Sequence, residues 1–287
     1  MGSQFKEKVA KYIFFLFALT SVLTVGLISF FIFAGGAPAI KEIGLANFLL
    51  GKVWKPSADN PSFGIFPMIV GSIEITIGAV AIGVPIGVMS SVYLAKFCPD
   101  RLHKILDPSV NLLAGIPSVV YGFFGMVIIA PIIKDIFGNG NSILTASILL
   151  GIMILPTIIG VSQSAIRAVP ESYYEGAVAL GATSEQAVFK VVLPAAKSGV
   201  LAAVILGIGR SIGETMAVIM VAGNQPRLTF DARKGVRTMT ANIVMEMAEA
   251  QDLHRSALIA TGAVLFVFIL IINTLFFILK RRLNREE

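Results

Sequence analysis

One arginine and one glutamate interrupt an apolar stretch of the sequence, where each could bind or balance charge. The stretch covers residues 199–222 and reads GVLAAVILGIGRSIGETMAVIMVA, with Arg210 and Glu214 near its middle. An arginine at the centre of a membrane helix costs about 2.5–3.5 kcal/mol on insertion scales, so its presence favours a polar cavity. A spacing of four residues would place both side chains on one helix face, within pairing distance. We predict that they line a solute pathway; the alternative is a self-satisfied structural ion pair.

The chemistry of this pair suits an anionic solute. A guanidinium is a planar, permanently charged donor, and it matches an oxyanion better than an ammonium group does. A nearby carboxylate would hold Arg210 between binding events and weaken its grip on the anion, which would allow release. Gly207, Gly209 and Gly213 thin the same helix and permit the close approach of a partner helix or a solute.

Three further residues are weaker candidates for lining a pathway. Glu74 lies six residues after residue 68, where the second apolar run begins, so it could reach either a pathway or the lipid headgroups. Pro117 and Ser118 lie in the segment GIPSVVYG at 115–122. A proline flanked by glycines is typical of a kinked helix. No base neighbours Ser118 in the sequence, so the pattern does not indicate nucleophilic catalysis there.

The elements that position these residues are predicted to be membrane helices. Hydrophobic residues make up 56% of the 287 residues and charged residues only 14%, against about 25% charged in soluble domains. About 20 apolar residues in a helix cross a hydrocarbon core, and helix is the default because lipid cannot satisfy backbone hydrogen bonds. The sequence predicts a single all-α membrane domain over residues 1–287, with about six transmembrane helices. The predicted spans are 12–34, 68–94, 109–133, 143–165, 199–222 and 256–279.

Composition also excludes several classes of function. The single cysteine, Cys98, rules out an intrachain disulfide, and His103 and His254 lie far apart in polar segments. We therefore predict no metal site. The net charge of +6 comes mainly from Lys and Arg between the spans, which indicates membrane topology rather than nucleic-acid binding. The distribution of these charges, 13 on the side of the termini against 9 on the other, predicts cytoplasmic termini.

The polar loop 166–198 contains the pattern of a helical hairpin. Helix formers run from Glu171 to Leu180, Gly181 interrupts them, and Thr183 or Ser184 can cap a second helix. We expect this second helix to run to Leu193, before Pro194. A compact hairpin that projects from a membrane protein either docks on a partner or lies on the lipid surface as an amphipathic element.

The spacing within this loop resembles the EAA loop of ABC importer permeases. Glu175, Gly176 and Ala177 are followed by Gly181 six residues after the glutamate, and by a hydrophobic-x-Leu193-Pro194 ending. The departures are Gly176 in place of alanine and Val191 in place of isoleucine. The resemblance implies a coupling helix between the fourth and fifth spans that seats in an ATPase subunit and transmits its closure. The chain has no G-x-x-x-x-G-K-[ST] loop, so we expect ATP and Mg²⁺ on a partner subunit and no cofactor on this chain.

A second resemblance covers about residues 65–280. GRSIGETMAV at 209–218, the Gly223-Asn224 pair and LHRSAL at 253–258 resemble the C-type permease subunit of phosphate-specific ABC importers. The resemblance implies phosphate import across the bacterial cytoplasmic membrane by alternating access. The implied partners are a homologous A-type permease, two copies of an ATPase subunit, a periplasmic phosphate-binding protein and membrane lipid, with no nucleic acid.

Two alternatives stay open at this point. One is a secondary anion transporter, driven by an ion gradient, that uses Arg210 and Glu214 as its site. It would work as a single chain, and it gives no reason for the spacing in the 166–198 loop. The other is an ABC permease for a different oxyanion, because bare chemistry does not distinguish phosphate from its relatives. An intramembrane enzyme is a poorer match, since the spans contain no constellation of His, Cys, or Ser with a base.

Overall fold

A computed structural model describes residues 2–283 of the chain, which are mostly helical. The helices are α1 (Gly2–Ile43), α2 (Leu45–Leu50), α3 (Phe66–Val92), α4 (Asp100–Gly115), α5 (Ser118–Phe124), α6 (Ala130–Phe137), α7 (Ile143–Arg167), α8 (Glu171–Ala179), α9 (Ser184–Ala187), α10 (Leu193–Ala195), α11 (Lys197–Gly213), α12 (Met216–Val221), α13 (Met239–Glu246) and α14 (Asp252–Leu283). Three π-helical turns continue neighbouring helices, at Tyr93–Phe97, Gly125–Ile129 and Val188–Val192. The short strands β1 (Trp54–Lys55) and β2 (Ser62–Phe63) pair antiparallel.

The described residues contain five helices long and apolar enough to cross a membrane, or six if one bent pair counts as a span. The five are Glu7–Ile43, Phe66–Phe97, Ser118–Phe137, Ile143–Arg167 and Asp252–Ile278. The bent pair is Ser184–Ala195 with Lys197–Gly213, which meet at 70°. The prediction of an all-α membrane protein with about six spans is confirmed. The expected segments 12–34, 143–165 and 256–279 each lie within a longer α-helix, and 68–94 lies within α3 and the π-helical turn that continues it.

The third expected segment, 109–133, is not one helix. Helix α4 ends at Gly115, and α5 begins at Ser118. Proline has no backbone N–H and forces the residue before it into an extended conformation. Ile116 accordingly has ψ 128°, and Pro117 caps α5. The expected kink at this proline is therefore a complete break, and the apolar span starts after it.

The fifth expected segment, 199–222, is also broken. Helix α11 runs from Lys197 to Gly213, Glu214 adopts an extended conformation with ψ 129°, and α12 begins at Met216. Glycine weakens a helix by about 1 kcal/mol relative to alanine, and Gly213 is the last residue of α11. Helix α11 therefore ends at Gly213, and Glu214, which we expected inside a continuous helix, lies beyond its end.

Helices α3, α7 and α11 form the centre of the bundle. Helix α3 packs most extensively on α7, and α11 packs on both. Glycines on α3 permit close contact: a Cβ atom at Gly83 would lie 2.8 Å from the carbonyl oxygen of Gly151. Helix α1 contacts α14 near its end, and most of its apolar surface is exposed. A bilayer would cover this surface, because soluble proteins rarely expose apolar patches of that size.

Replacing Gly83 with alanine tests the α3–α7 contact. We expect Gly83→Ala to lower the thermal unfolding midpoint of the purified protein, since overpacking a helix contact costs about 1–3 kcal/mol. Gly160→Ala on α7 is the control, because nothing lies within 4 Å of the added Cβ atom. That variant should keep its midpoint or gain slightly, as alanine is the better helix former. Circular dichroism in detergent measures both midpoints; equal values would contradict the packing described.

The two ends of the bundle differ. The hairpin side carries α8–α10, packed on the ends of α3 and α7 through a cluster that includes Ile166, Val188 and Val192. The far side carries the strands and α13. There the Glu246 carboxylate accepts hydrogen bonds from Trp54 Nε1 at 2.9 Å and from Arg237. These clusters fix which ends of the helices lie together.

Both histidines lie in polar contacts at the ends of the bundle. On the hairpin side, His103 of α4 lies 2.6 Å from Arg167 Nη2 and 3.1 Å from Gln163 Nε2, so it ties α4 to α7. On the far side, His254 Nε2 lies 2.9 Å from Glu246 Oε2. No group of three or more metal-ligating side chains occurs among the residues that the structure describes.

Candidate functional site

Arg210 lies near the middle of the bundle. Its Nη1 donates to Thr157 Oγ1 at 3.2 Å. Thr157 is 14 residues from the start of α7 and 10 from its end, or about 21 Å and 15 Å along the axis at 1.5 Å per residue. The guanidinium thus occupies the depth at which a charge costs most in a bilayer.

Most of the donors of Arg210 are unused. A guanidinium carries five N–H groups, and among the side chains that the structure describes Arg210 makes a hydrogen bond only to Thr157. The side chain is partly exposed rather than sealed in the core. Several N–H groups are therefore free to bind an anion at this depth.

The expected pair of Arg210 and Glu214 does not form. No ion pair joins them in the described part of the chain, because Glu214 lies outside the helix and the four-residue spacing no longer sets its direction. Glu214 Oε1 instead accepts from the backbone N–H of Thr215 at 3.2 Å and of Ala217 at 3.3 Å. Backbone N–H groups at the start of a helix have no acceptor within the helix, so they need one elsewhere. The carboxylate therefore holds the second half of the broken helix.

The capping role of Glu214 predicts a difference between two variants. Glu214→Gln keeps a carbonyl oxygen that can accept both bonds, so its thermal midpoint should stay near that of the unmodified protein. Glu214→Ala removes the acceptor and should destabilise the fold by about 0.5–2 kcal/mol, the usual effect of losing a helix cap. Thermal unfolding in detergent measures the difference. Equal destabilisation by both variants would show that the charge, not the cap, is the stabilising feature.

The two broken helices meet beside Arg210. Helix α5 packs on α12, where a Cβ atom at Gly122 would lie 2.9 Å from Ala217 Cα. The hydroxyl of Tyr121 donates to the carbonyl oxygen of Leu113 at 2.9 Å and so bridges the break between α4 and α5. Irregular backbone at membrane depth is tolerated where it is buried or lines a cavity, and transporters place substrate sites at such breaks.

The other candidate pathway residues lie in different surroundings. Pro117 is exposed and Ser118 half-buried, at the start of α5 and therefore at the first break. Glu74 is half-buried on α3, and its Oε2 atom is buried without a hydrogen-bond partner. Within the described residues, no hydrogen bond or ion pair connects Glu74 to Arg210. A pathway role for each of the three stays a prediction.

The loop 171–195 forms the expected hairpin. Helix α8 ends at Ala179, and Gly181 has φ +89°, a left-handed conformation that costs about 1–2 kcal/mol for residues with a Cβ atom. Thr183 caps α9: its hydroxyl accepts from Gln186 N, and the Gln186 side chain accepts from Thr183 N. This capping box fixes the start of the second limb. Glycine and threonine thus set the turn, as the sequence predicted.

The second limb differs from the expectation at its end. The helix does not stop before Pro194 but continues through α10 to Ala195 and bends only at Ala196. Pro194 is tolerated because it lies in the first turn of α10, after the π-helical turn Val188–Val192. Leu193 is half-buried against the hydrophobic cluster on this side.

The exposed surface of the hairpin includes both polar and apolar residues. Glu175, Gly176 and Gly181 are exposed, and Ala177 is half-buried. Leu180, at the tip, is 92% exposed. Sequence reasoning did not select Leu180, although a leucine just before the turn glycine was a usable signal. Tyr173 and Val178 of the same hairpin are also exposed, at 51% and 43%, and apolar side chains grouped on an exposed surface are typical of a contact with another protein.

Comparison with known proteins shows the family of the chain. Residues 83–285 match the family described as binding-protein-dependent transport system inner membrane component. The chain belongs to this family. The permease is 37% identical to the probable ABC transporter permease protein YqgH of Bacillus subtilis, over 82% of this chain and 79% of that one. It is 32% identical to the phosphate transport system permease protein PstC of Mesorhizobium japonicum, over 89% and 84% of the two chains.

Solved structures share the fold of the permease. A chain of the MetNI methionine ABC transporter matches with a TM-score of 0.63 at 18% identity, covering 76% of the permease and 95% of that chain. A chain of a bacterial alginate ABC transporter, solved with its periplasmic protein, matches with a TM-score of 0.66 at 15% identity and 96% coverage of both. The permease therefore has the fold of type I ABC importer permeases. It is a multi-pass inner-membrane transport subunit rather than an ATPase.

Proposed function

We propose that this permease forms half of the translocation pathway of an ATP-driven importer of inorganic phosphate. The observation that carries the proposal is Arg210, a guanidinium near the middle of the bundle with most of its N–H groups unused. A phosphate oxyanion accepts several hydrogen bonds and prefers such a planar donor. Relatives named PstC, at 30–32% identity over most of the chain, support phosphate as the oxyanion.

The arrangement of the helices suits alternating access. The hairpin faces the cytoplasm and seats in an ATPase subunit through Glu175, Gly176, Ala177, Gly181, Leu193 and Pro194. A homologous A-type permease completes the pathway, two ATPase subunits bind ATP and Mg²⁺, and a periplasmic phosphate-binding protein delivers the ion to the far side. Both termini are then cytoplasmic. This chain binds no cofactor of its own.

The residues near Arg210 take separate roles in this proposal. Glu214 places a negative charge at the break beyond Arg210, where it limits how tightly an anion is held and favours release. Pro117 and Ser118 shape the wall of the pathway at the other break. Glu74 lines the pathway on the far side of Arg210.

Reconstitution tests the proposal against its two competitors. The purified permease with its cellular partners should contain an ATPase and take up labelled phosphate into proteoliposomes only when ATP is enclosed with that subunit. Uptake by the permease alone, driven by an ion gradient, would favour a secondary transporter. ATP-driven uptake of labelled sulfate or molybdate, with no uptake of labelled phosphate, would assign the permease to another oxyanion.

A further inference from the structure

The coupling hairpin contacts a helix to which it is not joined in sequence. Helix α3 ends in the π-helical turn Tyr93–Phe97, more than 70 residues before the hairpin. Lys96 Nζ in that turn donates to Glu171 Oε2 at 2.7 Å and lies 5.5 Å from the centroid of the Tyr174 ring. Both partners belong to α8, the first limb of the hairpin.

The same turn contacts the second limb as well. Phe97 stacks on Phe189, with ring centroids 6.4 Å apart and planes at 25°. Below this stack, Val92 of α3 packs with Val188 and Val192, all at most 2% exposed. Side chains packed at this density resist independent movement, so displacement of one element carries its neighbour. The end of α3 is therefore held by both limbs at once.

The buried position of Lys96 makes this contact specific. Its side chain is only 14% exposed, and a mostly buried ammonium group is costly without a partner. The Glu171 carboxylate and the face of the Tyr174 ring supply that partner. The extra residue of a π-helical turn changes the direction in which the following side chains point. Here the turn directs Lys96 and Phe97 at the hairpin.

We propose that Lys96 and Phe97 are positioning residues that transmit the movement of the coupling hairpin to α3. The inference rests on the proposed function. The hairpin is joined to α7 and α11 by the peptide chain, since they flank it, whereas its direct contacts with the end of α3 are made by side chains, namely Lys96, Phe97 and the buried Val92. Helix α3 then moves with the hairpin as one rigid body. Without this connection, ATP hydrolysis would move the hairpin but not α3, and less phosphate would be transported per ATP.

A charge exchange tests the contact in the reconstituted complex. We expect Lys96→Glu and Glu171→Lys each to lower the amount of phosphate taken up per ATP hydrolysed by about threefold to tenfold, as like charges replace an ion pair. The double variant restores opposite charges and should recover most of the ratio. Lys104→Glu, an exposed lysine on α4, is the control and should leave the ratio unchanged. Normal ratios in both single variants, or no recovery in the double variant, would overturn the proposal.

A second measurement does not depend on phosphate. Spin labels at positions 89 on α3 and 172 on α8, both exposed, in a chain with Cys98→Ser, report the distance between the helix and the hairpin. We expect the same distance with and without ATP, and a change on ATP addition in Phe97→Ala but not in Phe97→Tyr. A change in the otherwise unmodified chain would overturn the proposal. Failure of the unmodified complex to import phosphate would instead refute the proposed function, whatever the spin labels report.

Discussion

Replacing Arg210 with glutamine should reduce phosphate uptake by the reconstituted complex by about 10- to 100-fold, since a hydrogen bond to a charged group contributes about 1.5–3 kcal/mol. Glutamine keeps a polar side chain of similar length but loses the positive charge and the planar donor fork. Arg210→Lys keeps the charge alone, so its uptake should be intermediate. Initial rates of labelled phosphate uptake at saturating ATP measure these differences.

Two controls separate the loss of an anion contact from the loss of the fold. Arg101→Gln removes an exposed arginine on α4 and should leave uptake unchanged. Thr157→Val removes the hydrogen bond that holds Arg210 Nη1 but not the charge, so uptake should fall by less than in Arg210→Gln. If Arg210→Gln transports normally and melts normally, the guanidinium is not on the route of the anion.

Replacing Leu180 with aspartate should strongly weaken the assembly of the permease with an ATPase subunit. The side chain is 92% exposed at the tip of the hairpin, so it contributes little to the fold of the permease itself. In a protein interface, an apolar anchor contributes about 2 kcal/mol or more, and a buried aspartate adds a desolvation penalty. We expect at least about a 30-fold loss of affinity for the ATPase subunit, measured by co-purification and by titration in detergent.

Leu50→Asp is the matched control for this prediction. Leu50 ends α2 on the far side and is 65% exposed, so the same chemical change falls outside the hairpin. The control should bind the ATPase normally, and both variants should melt near the midpoint of the unmodified permease. Normal binding by Leu180→Asp would show that the hairpin tip lies outside the interface.

The sequence predicted the hairpin well because its signals are local. The turn has a left-handed backbone conformation at Gly181, which glycine adopts readily. Thr183 and Gln186, three residues apart, form the capping box of α9. Neither depends on the rest of the fold. Pro194 was interpreted less well, as a helix end, because a preceding π-helical turn can accommodate proline and a pattern of residue types does not reveal such turns.

The two breaks inside the spans could not be located from hydropathy. Residues 109–133 and 199–222 are apolar on average, so a sliding average treats each as one helix. The breaks depend on backbone properties of single residues, Pro117 and Gly213, and on the side chain of Glu214 as a cap. The four-residue spacing of Arg210 and Glu214 predicted a pair only on the assumption that the helix continues.

The partners of the site residues come from distant parts of the chain. Thr157 is 53 residues from Arg210, and Glu171 is 75 residues from Lys96. A single sequence carries no signal for such contacts, because side-chain chemistry alone leaves many possible partners. The sequence alone predicted that a charged arginine lies deep in the membrane. The unused N–H groups of Arg210 and the helix breaks near it became known only from the folded structure.

Chemical restoration of charge at position 210 tests the central claim most directly. In a chain with Cys98→Ser, the variant Arg210→Cys should lose uptake, and a water-soluble aminoethyl thiosulfonate should restore part of it by attaching an ammonium group. The sulfonatoethyl reagent, which attaches a negative charge at the same site, should restore none. Recovery with the cationic reagent alone is the result we expect. Equal behaviour with both reagents, or normal uptake before either is added, would contradict an anion route past Arg210.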